Sequence, residues 1–523
     1  MNNHFDILID GSIVGLYLLA TMIAGVMVRK YVAKVEHFIV AGREMNVYLG
    51  IASLAATEFG IVTCMYTAQA GYTRGFAGTI PGICNALAMF VVGYTGFCVK
   101  KLRDSGVMTI PEIFEQRYGG FVRWLAGVVI VLGGLLNMGV FLRVGGQFLV
   151  VCCGMNLQYL ELTMTVLLVA VMVYTIMGGM LSVLVTDFLQ FVVMSAGLLL
   201  VTFLVLGTVG WNALTETVNA HYGAGGFNPF VAPDLGWPFV LSNLLTNTGA
   251  VLTWQAVIAR LLAAKDSKTG RKVYTGTSFF FVCRWVIPGL WGMAALAVVT
   301  PDMLAQIGLQ FGEKDGSLFA MPYLLSQILP VGMMGVLVAA MLAADMSTDS
   351  SYMLTWGSVI YNDVLAPFRR KRPWSEKKGI LWNRCIIALI GVFLLFWGLW
   401  YKIEGNLWEY CQTTGTIYLA SMSILLIACC YWKRANNWGA IAAIVLGAAL
   451  PVLALSLNLF VQTEVPVLDE TGRQMMKDGL AVTRTMGWAK YHIGDNIVNI
   501  GTYALVAVAM VAGSLLKPKA GKT

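Results

Sequence analysis

Residues Ala343 to Ser358, AADMSTDSSYMLTWGS, set two carboxylates and a cluster of hydroxyls inside an otherwise apolar stretch. Polar groups at that density need partners, because a buried donor or acceptor left unsatisfied costs on the order of 1–3 kcal/mol. Ala344, Ser347, Thr348 and Ser351 fall at i, i+3, i+4 and i+7, so on a helix they share one face, while Asp345 and Asp349 share the neighbouring one. Oxygen donors with no His or Cys beside them suit an alkali or alkaline-earth cation rather than zinc or copper. The segment reads as a sodium site.

A second segment supplies a partner. In GIASLAATEFGIVTCMY, Gly50 to Tyr66, a helical apolar pattern is interrupted by Thr57, Glu58, Gly60 and Thr63. Small and polar residues there allow local unwinding, and the freed backbone carbonyls are good sodium ligands; interrupted helices near the bilayer midplane are where secondary transporters hold solute and ion. Small residues also serve close helix packing, but packing does not ask for Glu58.

Six ionisable residues fall in apolar runs: Glu58, Arg143, Asp187, Arg284, Asp345 and Asp349. Each is costly in hydrocarbon and a functional candidate by default. The excess of acids over bases is two charges, which two sodium ions would neutralise. Two structural alternatives stand beside that reading: Asp187 and Arg284 at span ends reaching water, and Asp349 bridged to Arg143. Arg143 lies in LLNMGVFLRVGGQF with Asn137 and Gln147, and a guanidinium there can grip a carboxylate through two parallel hydrogen bonds.

The elements that must position these groups are membrane helices. Hydrophobic residues make up 58% of the 523 and charged residues 12%, which marks an all-α polytopic membrane protein. About thirteen runs are long enough to span a bilayer at about 20 residues each. They centre in 7–28, 45–68, 78–99, 122–152, 158–180, 185–209, 238–262, 274–299, 329–361, 380–402, 407–432, 438–461 and 496–516. The first has no small-residue cleavage site and reads as a retained helix.

Basic residues cluster in alternate loops. One set holds Arg29, Lys30, Lys34 and Arg43; Lys100, Lys101, Arg103, Arg117 and Arg123; Arg260, Lys265, Lys268, Arg271 and Lys272; Arg369 to Arg372 with Lys377, Lys378 and Arg384; Lys433 and Arg434; and Lys517, Lys519 and Lys522. The other holds Arg74, Lys314, Lys402, Arg473, Lys477, Arg484 and Lys490. The positive-inside rule then puts the N-terminus outside and the C-terminus in the cytoplasm of a multi-pass plasma-membrane protein, a bacterial inner membrane being the expected setting. The net charge of +8 reflects this topology and asks for no nucleic acid. The ten Cys are scattered without CxxC pairs, the four His are terminal or in loops, and no nucleotide-binding or hydrolase fingerprint occurs. An enzyme, a channel with a repeated filter and an obligate protein partner all lack a sequence signal, and no cofactor beyond Na+ as coupling ion is expected.

FIVAGRE after the first span, GYTRG after the second, GGMLSVLVTDFLQ at 178–190, VIARLLAAKDSKTGRK at 257–272 and MSTDSS running on to IYNDV follow one another in order. With these motifs the chain resembles the sodium:solute symporter family over roughly residues 5–460. The resemblance implies a LeuT-like 5+5 inverted repeat working by alternating access, with one preceding helix at 7–28, a first half at 45–209, a second at 238–432, and two following helices in 438–523 around an extracellular loop at 462–495. It implies a main sodium site from the carbonyls of Ala56, Phe59 and Ala344 and the hydroxyls of Ser347 and Thr348. Some members bind a further sodium, which here would use Asp187, Ser350 and Ser351, with Ser347 and Thr348 shared.

For the solute, the resemblance gives several branches. Glu58 matches an acid of the proline branch and an amide of the galactose branch. Sialic-acid transporters use an intramembrane Arg on the helix that holds Arg143, which points to an organic acid. Thr63, Tyr66, Trp254, Gln255 and Gln412 would complete the pocket. Ala256 stands where the galactose branch has a gating Tyr, and Arg143 would repel the quaternary ammonium of the choline branch. Asp345 departs from the family pattern, and its readings are an added ligand, a proton site, or a partner for Arg143 or Arg284, with Asp349 and Arg284 in the same charge network. The expectation is a sodium-coupled symporter for a small organic acid; a sugar, amino acid or choline-type symporter, or a sodium-responsive sensor on the same fold, is the alternative.

Overall fold

The computed structural model describes residues 5–233, 235–311, 316–369, 374–401, 406–466, 476–477, 480–481 and 483–517. Lys314, the basic run at 370–372, Lys402, Arg473, Lys519 and Lys522, used above to read topology, lie outside the described residues.

Each predicted span falls on helix. Helix α1 is Ile9–Met27. The second span is two pieces, α2 (Val47–Thr57) and α3 (Ile61–Arg74), followed by α4 (Ile80–Thr95). The fourth is also in two, α5 (Gly120–Met138) and α6 (Phe141–Cys152). The fifth and sixth predicted spans are the two helical segments of Leu160–Val209, together called α7, which meet at a kink at Gly179, whose φ of 54° is a left-handed value. A Cβ at Gly179 would lie 2.6 Å from the Phe38 carbonyl, so both the turn and the close approach require glycine.

The seventh span is again broken, into α8 (Gly236–Thr253) and α9 (Gln255–Ala263), with Trp254 extended between them at φ −64°, ψ 120°. Then come α10 (Ser267–Val298), α11 (Met333–Val359), α12 (Glu376–Trp400), α13 (Leu407–Tyr431), α14 (Asn437–Phe460) and α15 (Asp495–Leu516). Among the described residues nine helical runs are long and apolar enough to cross a membrane; α8 and α11, which carry polar residues of the site, are not among them. Between α14 and α15, strand β1 (Gln462–Pro466) pairs antiparallel with β2 (Thr483–Gly487).

Two packing seams position the site. Helix α10 lies along α3 and α4, and α7 along α11. The first seam is closed by small residues: Gly71 and Ala68 of α3 sit directly against Gly289 and Gly292 of α10, where an added Cβ would collide with backbone. Such small-residue contacts let membrane helices approach closely and gain dispersion energy where no hydrophobic force acts between them. Large side chains such as Leu16, Phe203, Leu389 and Val508 point outward from this bundle. The IYNDV motif forms a single π-helical turn, Ile360–Val364, and Asp363 is buried beneath Arg123 with an N–O distance of 2.7 Å.

Candidate ion and solute site

The break between α2 and α3 is made by residues 58–60. Asn46 caps α2 by accepting from the Leu49 amide, and at the other end the helix stops at Thr57, with Gly60 extended at ψ 168° before α3 begins. The last carbonyls of α2 therefore have no full set of intrahelical donors. Helix α11 fills the gap. Thr348 Oγ1 donates to the Thr57 carbonyl at 2.7 Å and is 3.0 Å from that of Ala344. A Cβ on Gly60 would stand 2.8 Å from Thr348 Oγ1, so the break and the hydroxyl meet without spare room.

Ala56, Phe59, Ala344, Ser347 and Thr348 are all buried around this junction. Carbonyl and hydroxyl oxygens with no imidazole or thiolate fit a hard monovalent cation. The sequence reading named the carbonyls of Ala56 and Phe59, whereas the one Thr348 meets is that of Thr57.

A second polar cluster lies beside it. Asp187 on α7 is fully buried; its Oδ1 accepts from Ser347 Oγ at 2.6 Å and its Oδ2 from Ser53 Oγ at 2.5 Å. Arg260 of α9, also fully buried, donates from Nη2 to Asp187 Oδ2 at 2.9 Å, to Thr57 Oγ1 at 2.6 Å and to Ser351 Oγ at 2.5 Å, and from Nε to Ser53 Oγ at 3.0 Å. Ser350 instead turns to the Ser347 carbonyl at 3.2 Å. The basic-loop reading of Arg260 is corrected: the apolar run Val257 to Ala264 on both sides of it was the available signal.

The third element is a pocket whose rim carries Glu58, Thr63, Tyr66, Asn85, Asn137, Thr246, Asn247, Trp254, Arg284, Tyr352, Trp408 and Gln412. Arg284 Nη1 bridges to Glu58 Oε2 at 2.9 Å and to the Glu58 carbonyl at 2.8 Å, and its guanidinium lies 4.7 Å from the Phe281 ring. Glu58 Oε1 and Arg284 Nε have no hydrogen-bond partner among the described residues. Asn85 donates to Asn247 at 2.7 Å and Gln412 to Ser242 at 3.2 Å. Tyr66 packs between Trp285 and Trp408, with ring centroids 5.3 and 5.0 Å away. Trp254 Nε1 donates to the Tyr352 hydroxyl at 3.0 Å, which seats the extended residue of the second helix break at the pocket wall.

Several sequence-named residues fall elsewhere. Arg143, Gln147 and Gln255 do not line this pocket. Arg143 donates to the carbonyls of Gly398 and Leu399 at 2.9 and 3.2 Å, so the arginine at the pocket is Arg284. The interfacial alternative for Asp187 and Arg284 is corrected, since both are buried, and Arg284 pairs with Glu58 rather than with Asp345. Asp345 and Asp349 are both 3% exposed; a Cβ at Gly145 would be 3.2 Å from Asp345 Oδ2, which seats that carboxylate against α6. Asn85, Asn247 and Trp408 were missed: Asn85 is a single polar residue in an apolar run, while Asn247 beside Thr246 and Thr248, and Trp408 between Asn406 and Glu409, stand in polar stretches that were the available signal.

Comparison with known proteins bears on the fold and the family. A solved Na+-coupled sialic acid symporter, substrate-bound and outward-open, superposes with a TM-score of 0.76 over 98% of both chains at 17% identity, which shows the fold. The architecture is thus the LeuT-like one of inverted repeats. Sodium/glucose cotransporter 4 of Danio rerio is 27% identical over 85% of this chain and 71% of its own length. The sodium/myo-inositol cotransporter of Canis lupus familiaris is 26% identical over 86% and 67%. The family model for sodium:solute symporters, which are transporters and not enzymes, matches residues 38–447. The chain belongs to the sodium:solute symporter family.

Proposed function

We propose that this chain imports a small, uncharged, polyhydroxylated solute by sodium-coupled alternating access, with sodium held at the junction of α2, α3 and α11. The observation that carries the solute class is the Glu58–Arg284 pair at the pocket. It leaves the rim without net charge while presenting two unfilled hydrogen-bonding atoms, Glu58 Oε1 and Arg284 Nε. Around it stand the amides of Asn85, Asn137, Asn247 and Gln412 and the hydroxyls of Thr63 and Thr246, with Tyr66, Trp254 and Trp408 as apolar faces. Amides and hydroxyls serve both as donors and as acceptors, as hydroxyl groups of a solute require, and aromatic faces take the C–H side of a ring.

An organic acid would need an uncommitted arginine, and the Arg143 reading loses support because that side chain does not reach the pocket. The glucose and myo-inositol cotransporters among its relatives fit the same class. The two halves are proposed as 45–209 and 238–432, in a plasma membrane with the N-terminus outside.

Proteoliposome uptake tests this. Labelled glucose, myo-inositol, mannose, sialic acid and proline would be offered under an inward sodium gradient and under an equal potassium gradient. Uphill uptake of a sugar or polyol only with sodium is expected. Uptake restricted to sialic acid or proline would overturn the solute class, and uptake indifferent to sodium would overturn coupling.

A further inference from the structure

We infer that the guanidinium of Arg260 is the resident cation beside Asp187, and that this chain therefore carries a single sodium ion per cycle, the one held at the helix break. The inference rests on the sodium-symport reading above and fixes its stoichiometry.

Two ions would need two compensating environments. At the break, carbonyl oxygens and the Thr348 hydroxyl are gathered; Arg284 donates to the Glu58 carbonyl, but among the described residues no cationic side chain is hydrogen-bonded to Thr348. Beside Asp187 the position is taken. One carboxylate faces one guanidinium, and both are fully shielded from solvent. The Oδ2 atom receives Arg260 and Ser53, and Oδ1 receives Ser347. Ser351, the hydroxyl that a second ion would take, accepts from Arg260 Nη2 at 2.5 Å. A sodium ion entering here would compete with five-donor guanidinium chemistry for the same oxygens, and would bring an uncompensated positive charge into a buried neutral cluster.

The pair also has a use for the first ion. Ser347 spends its proton on Asp187 Oδ1, which aims its lone pairs away from that carboxylate. A hydroxyl fixed in this way is a better cation ligand than one free to rotate, as with the outer partners of metal ligands in general. Asp187 and Arg260 are thus positioning residues for the sodium site.

Equilibrium binding of radioactive sodium to the purified full chain tests this, with sodium alone as the probe. The wild type should bind one ion per chain, and Thr348→Ala should lose it. Arg260→Gln leaves Asp187 uncompensated and should raise the count to two, while Arg260→Gln combined with Asp187→Asn should return it to one. Two ions on the wild type would overturn the inference and leave sodium coupling intact. So would a single ion that survives Thr348→Ala and vanishes in Asp187→Asn. If the single Arg260 variant does not fold, the wild-type count and Thr348→Ala still decide. No sodium binding by the wild type would overturn both this inference and the symport reading.

Discussion

Two buried arginine–carboxylate pairs in the helical bundle, Arg260–Asp187 and Arg284–Glu58, have the same 2.9 Å separation and differ in what surrounds them. Arg260 and Asp187 are fully buried, and serine and threonine hydroxyls, with the Ala256 carbonyl 3.3 Å from Arg260 Nη1, partner their remaining nitrogens and oxygens. Glu58 and Arg284 are each 8% exposed at their side chains, line a cavity, and keep one unpartnered atom apiece. A buried pair gains little over an apolar replacement unless its hydrogen bonds are complete. The saturated pair is consistent with a fixed structural ion, and the unsaturated one with a surface that still has something to bind.

The largest effect should come from breaking the saturated pair. Arg260→Ala strands Asp187 in a dry cluster and should destabilise the protein by about 3–5 kcal/mol, read as loss of monodisperse protein and a lowered thermal midpoint in detergent. A midpoint unchanged by this substitution would break the comparison. Glu58→Gln keeps the shape of the pocket and should cost much less stability, because the cavity lets water reach Arg284. It should nonetheless reduce initial uptake at least about tenfold, a loss of about 1.4 kcal/mol of solute interaction. Uptake near wild type with lost stability would make the pocket pair a structural bridge.

At the proposed ion junction, Thr348→Ala removes the hydroxyl proposed as a ligand and its hydrogen bond to the Thr57 carbonyl. A hydrogen bond of this kind contributes on the order of 1 kcal/mol to stability, so folding should survive while sodium binding is lost at concentrations that saturate the wild type. Gly60→Ala should act in the same direction through crowding of Thr348. The smallest effect is expected at Glu409, whose carboxylate joins Arg74 at 2.9 Å and Lys490 at 2.6 Å on partly exposed side chains. Glu409→Gln should shift the thermal midpoint by the equivalent of about 0.2–1 kcal/mol, and less in high salt.

Legibility in the sequence followed the kind of signal. Helical spans were readable because membrane helices need long apolar runs, and the break at Glu58–Gly60 was readable because polar and small residues interrupt one. The order of motifs led to the family and, through it, to the inverted repeat. Span counting also held across α7, where hydropathy divides 158–209 into two spans and the non-helical backbone of Gly179 breaks the helix between them. Charge pairing was hidden, because it depends on which faces of distant helices meet. Glu58 finds Arg284 across 226 positions, and Asp187 finds Arg260 across 73. Arg143 looked suited to a solute carboxylate, yet its helix rotation delivers it to the end carbonyls of α12. Position within an apolar run says that an ionisable group is buried; it does not say toward what.

Thermal unfolding of the purified chain, in sodium and in potassium, against a panel of neutral sugars and polyols alongside sialic acid and other carboxylates, tests the central claim most directly. A ligand of the folded state raises apparent stability by mass action. A neutral polyhydroxylated solute should raise the midpoint in sodium and leave it unmoved in potassium, with the shift diminished in Thr348→Ala. Equal stabilisation in both salts, or stabilisation by carboxylates alone, would contradict a sodium site linked to an uncharged-solute pocket.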